Sequence, residues 1–232
     1  MYRKRRLVVA MLAAISVLSG VVFQAVQDHG QRATLGVSTT QSITTSPAID
    51  ALNKLEVKGR APKTGYSRAQ FSDDWATVGG CSVRELILKR DLQNIVLDKD
   101  GCKVMSGILT SDPYTGKEIA FVRGATSSMA VQIDHVVPVS DAWQKGAQQL
   151  SKDQRHRFYN DPLNLLAVDG PTNNKKSDGD AATWLPANKD YRCRYVARQV
   201  AVKVKYALWV TEGEKDAIKR VLDTCPGQVL PA

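Results

Sequence analysis

The apolar positions change period several times along the chain, and each change marks an element. Leu7 to Val26 is almost wholly apolar and uncharged. Thr34 to Ser46 is rich in Ser and Thr and poor in apolar residues, which leaves it nothing to bury. Residues 27–62 therefore read as a tether, with a short helix allowed at Ala48–Val57 and order expected from about Tyr66. Helical spacing of Val83, Leu86, Ile87 and Arg90 predicts a helix over Ser82–Leu92, with Ser82 as cap and Glu85 three residues on. Lys103–Leu109 and Ile119–Val122 read as strands on either side of the turn Asp112-Pro-Tyr-Thr-Gly116. Ala130–Val137 and Leu163–Val168 are further apolar strands. Asp141–Phe158 has helical composition with a break near Ser151, and Thr172–Ser177 can start a small helix. A long amphipathic helix is expected at Tyr191–Val210, with Cys193, Val196, Ala197, Val200, Val204 and Leu208 on one stripe. Glu212–Leu222 follows as a second helix.

Composition narrows the class. The 232 residues are 43% hydrophobic and 24% charged, which excludes a chain disordered throughout and a fibrous repeat. Only one apolar run is long enough to cross a bilayer, which excludes a polytopic membrane protein. That run follows Arg3, Lys4, Arg5 and Arg6, so residues 1–26 read as a signal peptide or an uncleaved N-terminal anchor. Val17-Leu18-Ser19 offers a cleavage site. Either version places the remainder outside the cytoplasm. Those four cations account for part of the formal charge of +9, and the rest stays mildly basic. A mildly basic body permits a polyanionic partner without requiring one.

Four cysteines, Cys81, Cys102, Cys193 and Cys225, allow three pairings in an oxidising compartment. Cys81–Cys102 and Cys193–Cys225 are favoured because each pair brackets one local segment, the second closing the open end of a helical hairpin. A zinc site is the competing reading, but no spacing is C-x-x-C and no His adjoins a Cys.

Of the three histidines, His29 falls in the tether and His156 in a polar helical stretch. His135 differs: it sits beside Asp134 at the end of an apolar strand, in Gln132-Ile-Asp-His-Val-Val-Pro138. Neighbours in a strand face opposite ways, so both cannot enter one core, and an ionised Asp there needs a partner. Downstream stand Asn164 at the start of the next strand, Asn173 nine residues later, and Lys176 three after that. Taken singly, Asn164 reads as a turn or cap residue, Asn173 as a helix cap and Lys176 as solvated surface. Their joint spacing carries the functional reading.

That spacing resembles the ββα-metal (His-Me finger, HNH) endonucleases, in the Asp-His, Asn, Asn-x-x-Lys variant of CRISPR effector HNH domains. Arg84-Glu-Leu-Ile-Leu-Lys-Arg-Asp91, the Asp112–Gly116 turn, Asp161-x-x-Asn-Leu165 and Trp184-Leu-Pro186 are similar to secreted bacterial HNH proteins related to the C-terminal domain of GmrSD-type restriction enzymes. The resemblance spans about residues 66–225. It implies an α+β fold: a ββα-metal core over 129–178 inside a mixed domain over 63–232, with flanking helices and disulfide staples. It further implies that Asp134 and Asn173 ligate the metal, His135 activates water, Asn164 orients His135, and Lys176 sits near the phosphate. The metal would bridge the scissile phosphate and the 3′ oxygen, leaving a 5′-phosphate. Members often carry His where Asn173 stands, and Asn174 follows directly, so the ligand could be either Asn.

The chemistry stands beside the resemblance. One carboxylate and one amide oxygen make a hard, oxygen-only site suited to Mg²⁺, with Mn²⁺ also accepted. An imidazole is a workable general base near neutral pH. Arg123, Arg194 and Arg198 are weaker candidates for phosphate contacts, with Lys203 and Lys205 on the same long helix as Arg194 and Arg198. Trp143 and Trp184 read as core or rim. The expectation is an exported monomeric DNA endonuclease of low sequence specificity, with RNA open as a second substrate. It would need no small-molecule cofactor and touch a membrane only through an uncleaved N-terminus. The alternatives are a non-catalytic nucleic-acid binder on the same scaffold and a structural envelope protein.

Overall fold

A computed structural model describes residues 47–231. The signal or anchor segment, most of the tether and His29 lie outside the described residues. Helix α1 (Ala48–Lys54) buries Ala48, Ala51 and Leu52. A helix this short needs tertiary burial to persist. It gets that burial in a cluster with Val196, Val200, Ile218 and Leu222, and bridges Pro47–Val229 and Val57–Val210 tie its flanks down. The tether reading is thus corrected for residues 47–62, which are an integral part of the body.

After a 3-10 turn at Arg68–Gln70, Phe71 enters a second core cluster with Trp143 and Phe158. Strands β1 (Thr77–Val78) and β2 (Cys81–Ser82) form a hairpin. Its two-residue loop is Gly79-Gly80, both at positive φ, as a primed turn requires. Ser82 then caps α2 (Val83–Asp91) by accepting from the Glu85 backbone N–H. Strands β3 (Gln93–Leu97), β4 (Val104–Leu109) and β5 (Ile119–Val122) make an antiparallel sheet in that order. Its inner face shares Leu88, Leu92, Val104, Phe121, Val131 and Ala167 with α2 and the next sheet.

That second sheet pairs β6 (Val131–His135) with β7 (Leu165–Asp169). Between them lie α3 (Val139–Gln144) and α4 (Lys152–Tyr159), the latter opened by a capping box from Ser151 and Gln154. Helix α5 (Gly170–Lys176) follows β7 directly. Helices α6 (Arg192–Lys205) and α7 (Glu212–Leu222) complete an α+β fold. The Cys81–Cys102 and Cys193–Cys225 bridges are both present, with Cα separations of 5.2 and 6.4 Å. Among the described residues no helix is long and apolar enough to cross a membrane.

Helix α6 departs from the expected single stripe. Val196, Ala197 and Val200 are buried, but so are Tyr195, Gln199, Val202 and Lys203, while Val204 is exposed. The helix stops at Lys205, near Ala207 at φ 50°, so Leu208 lies beyond it. Lys203 cannot belong to a solvent-facing basic patch. It is fully buried in a charge-balanced network of Arg60, Lys145 and Lys203 with Asp141, Asp180 and Glu214. Lys145 at its centre lies 2.6–2.8 Å from all three carboxylates.

Candidate nuclease site

The site is built on the β6–β7 ladder and the start of α5. Asp134 stands opposite Leu166 and His135 opposite Leu165. Two local devices hold α5 against the strands. Asp169 caps it, accepting from Thr172 N and Oγ1 at 2.9 and 2.5 Å. Gly170 allows the approach, because a Cβ there would lie 1.9 Å from the Met129 carbonyl oxygen. A third device comes from the Asp112–Gly116 turn. The buried Asp112 carboxylate accepts from the backbone of Tyr114, Thr115 and Asp169, which ties the turn to the end of β7. The turn thereby delivers Tyr114, fully buried, to the site.

Tyr114 donates its phenol hydrogen to Asp134 Oδ2. Lys176 Nζ lies 3.1 Å from Oδ1 and 3.0 Å from Oδ2 of the same carboxylate, and donates to the His135 carbonyl at 2.9 Å. Lys176 is 2% exposed, so its charge serves the carboxylate and the strand end instead of facing a ligand as expected. Burial raises the Asp134 pKa, while the Lys176 charge and the Tyr114 hydrogen bond work against that rise.

His135 is 5% exposed, with its ring stacked 6° from parallel on Trp75 and tilted against Tyr159. Its Nε2 lies 2.8 Å from the Tyr159 carbonyl oxygen. A carbonyl only accepts, so this partner assigns the hydrogen to Nε2 and leaves the Nδ1 lone pair bare. Burial foremost, then the Arg68 and Lys176 charges, push the His135 pKa down to about 3. Asn164 does not hold the ring. Its fully buried amide accepts from Val137 N at 2.8 Å and donates to Val137 O at 3.3 Å, clamping the chain two residues past His135. The ring-holding partner is a backbone carbonyl, which no side-chain motif could reveal.

Asp134, His135, Asn173 and Asn174 line one open cavity of about 540 Å³. Asn173 is half-buried and its Nδ2 donates to Gln132 Oε1 at 2.9 Å, which leaves Oδ1 as its available donor to a cation. Asn174 is exposed. Among the described residues no group of three or more His, Cys, Asp or Glu is placed to hold a metal. Arg123, Arg194 and Arg198 do not line the cavity. Arg123 is engaged by Glu85 at 2.6 Å, Arg194 lies over the Tyr191 ring, and Arg198 donates to the Leu163 carbonyl at 2.9 Å. The cavity lining includes instead Lys63, Tyr66 and Arg68, together with Ser140 and Asp178. Trp143 is buried core, and Trp184 packs edge-on to Tyr114 at 4.8 Å.

Residues 83–221 match the family described as GmrSD restriction endonucleases, C-terminal domain. An uncharacterized secreted protein of Arthroderma benhamiae is 39% identical over 183 residues, covering 78% of this chain and 85% of that relative. The matched span holds β6, β7 and α5 whole, with Asp134, His135, Asn164, Asn173 and Lys176 inside it. On that span, the chain belongs to the nuclease-related family of GmrSD restriction endonuclease C-terminal domains.

Proposed function

We propose that the protein is an exported, Mg²⁺-dependent endonuclease that hydrolyses DNA phosphodiester bonds with little sequence specificity. The observation that carries this reading is His135. Its Nε2–H is committed to the Tyr159 carbonyl, its Nδ1 is bare, and it lines the same cavity as Asp134 and Asn173. Export is supported by the two disulfides and by the secreted relative.

In the proposed reaction a water attacks phosphorus and passes its proton to His135 Nδ1. The bond from phosphorus to the 3′ oxygen breaks, that oxygen takes a proton from solvent, His135 returns its proton to solvent, and a 5′-phosphate and a 3′-hydroxyl result. His135 must hold one ring orientation during the transfer. Trp75 stacks on the ring, Tyr159 packs against both at a tilt, and the Tyr159 carbonyl fixes the ring's tautomer. Asp134 must stay ionised, which the Lys176 ammonium favours despite burial. A divalent cation fits the donor set. A carboxylate has about four acceptor positions, and Tyr114 and Lys176 leave room on Asp134. Asp134 with Asn173 Oδ1 gives the sparse oxygen set that Mg²⁺ accepts while keeping waters. When bound, the ion would neutralise charge developing on the phosphate.

A non-catalytic nucleic-acid binder draws on one observation, that Tyr114 and Lys176 already hold Asp134. Incubating the oxidised full-length protein with supercoiled plasmid, in Mg²⁺ or in EDTA, separates the two. The proposal expects cleavage in Mg²⁺ only, with ends that a ligase rejoins because they carry 5′-phosphates. Retarded but intact plasmid in both conditions would support the binder, and an RNA arm reports the second substrate.

A further inference from the structure

We infer that Arg68 is a phosphate-binding residue, holding a non-bridging oxygen of the nucleic-acid backbone over His135. The inference rests on the nuclease reading and adds a residue from outside the matched family span of 83–221. Arg68 lines the cavity that holds Asp134, His135 and Asn173. It is exposed yet held in place. Its guanidinium carbon lies 5.1 Å from the Tyr159 ring centroid, and its Nε donates to Tyr159 Oη at 3.1 Å. Its backbone begins a 3-10 turn whose far end is secured by Phe71 in the core and by Arg155 donating to the Gln70 carbonyl at 2.9 Å.

Arg68 is set apart from the other arginines by its place: among the described residues it is the arginine that lines this cavity, and its terminal nitrogens remain open. Among the described residues, Arg60, Arg84, Arg90 and Arg123 each lie within 2.9 Å of a carboxylate oxygen. The Nη1 and Nη2 groups of Arg68 have neither an acid nor a carbonyl partner there. Lys63, the other cation lining this cavity, is 3.4 Å from Asp178. An anchored guanidinium with both terminal nitrogens unspent matches the paired oxygens of a phosphodiester, and its fork gives geometry that an ammonium lacks. Because Tyr159 contacts both Arg68 and His135, the guanidinium and the base are positioned by one residue.

The test is binding of the full-length oxidised protein to a fluorescent 20-base-pair DNA duplex in EDTA, where no cleavage interferes, across a salt series. Arg68→Gln should weaken binding about tenfold and reduce the slope of log affinity against log salt by about 0.9, one phosphate contact. Arg68→Lys should retain the slope and lose part of the affinity. Arg194→Gln and Arg198→Gln should match wild type. Thermal midpoints of all variants check folding, and an Arg68 variant that binds like wild type overturns the inference while leaving the nuclease reading intact. If wild type neither binds this duplex nor cuts plasmid in Mg²⁺, the nuclease reading falls and the inference with it.

Discussion

At the residue scale, the site is a set of polar groups whose partners come from distant parts of the chain. Asp134 accepts hydrogen bonds from residues 20 and 42 positions away, and His135 donates to one 24 positions away. The Asp-His pair was legible because its two residues adjoin in sequence. Tyr114 was visible only as part of a turn, and the Tyr159 carbonyl carries no sequence signature at all. Burying an imidazole whose ring is paired with a carbonyl and not a carboxylate has a measurable consequence. The ring, pushed down to about 3, stays neutral in the fold at pH values where the unfolded ring takes a proton. The unfolded state then binds more protons, so stability is full above about pH 6.5 and falls as the pH drops from there toward 3. Denaturant unfolding at pH 7.5, 6 and 5 should show wild type losing more stability on acidification than His135→Asn. Asp134 is present in both proteins, so its opposite shift cancels. Equal slopes would mean that the ring is not buried as described.

At the element scale, ladders and caps were largely readable. The helix after Ser82, strands β4 and β5, and helix α7 fall where the periodicity puts them, because each has its cap or alternation in local sequence. Strand β3 gave no such signal. Its register shifts twice against β4, Asn94 sits at φ 51°, and four of its five residues are exposed, so no alternation survives. The ββα unit itself depends on a close approach between α5 and the segment before β6. Gly170→Ala would place a methyl against the Met129 carbonyl and should destabilise the protein by about 1–3 kcal/mol, with loss of cleavage. Gly213→Ala is the control. Its Cβ would meet only Ala182 at 3.8 Å within α7, so it should be neutral or stabilising by up to about 1 kcal/mol. Thermal unfolding of the pair separates a steric requirement at Gly170 from a general glycine effect.

At the scale of the whole molecule, the N-terminal segment belongs to the working unit. Arg60 joins the buried ionic network, α1 packs on α6 and α7, and Lys63, Tyr66 and Arg68 wall the cavity. This was hidden in the sequence because its anchors are scattered: a few small apolar residues in α1, then Phe71, then charges whose partners lie about 80–120 residues on. The same long reach explains why Lys203 looked like surface, since its neutralising partner Glu214 sits on the next helix. Breaking such a network leaves a buried charge without a partner, a far larger penalty than losing a surface pair. The network therefore ties down α3, which carries Asp141 and lines the cavity with Val139 and Ser140. The most direct test of the account compares plasmid cleavage in Mg²⁺ by wild type and His135→Ala, both oxidised and matched for thermal midpoint. The account predicts a loss of about 10²–10⁴-fold, the contribution of a general base. Cleavage by His135→Ala at the wild-type rate would contradict it.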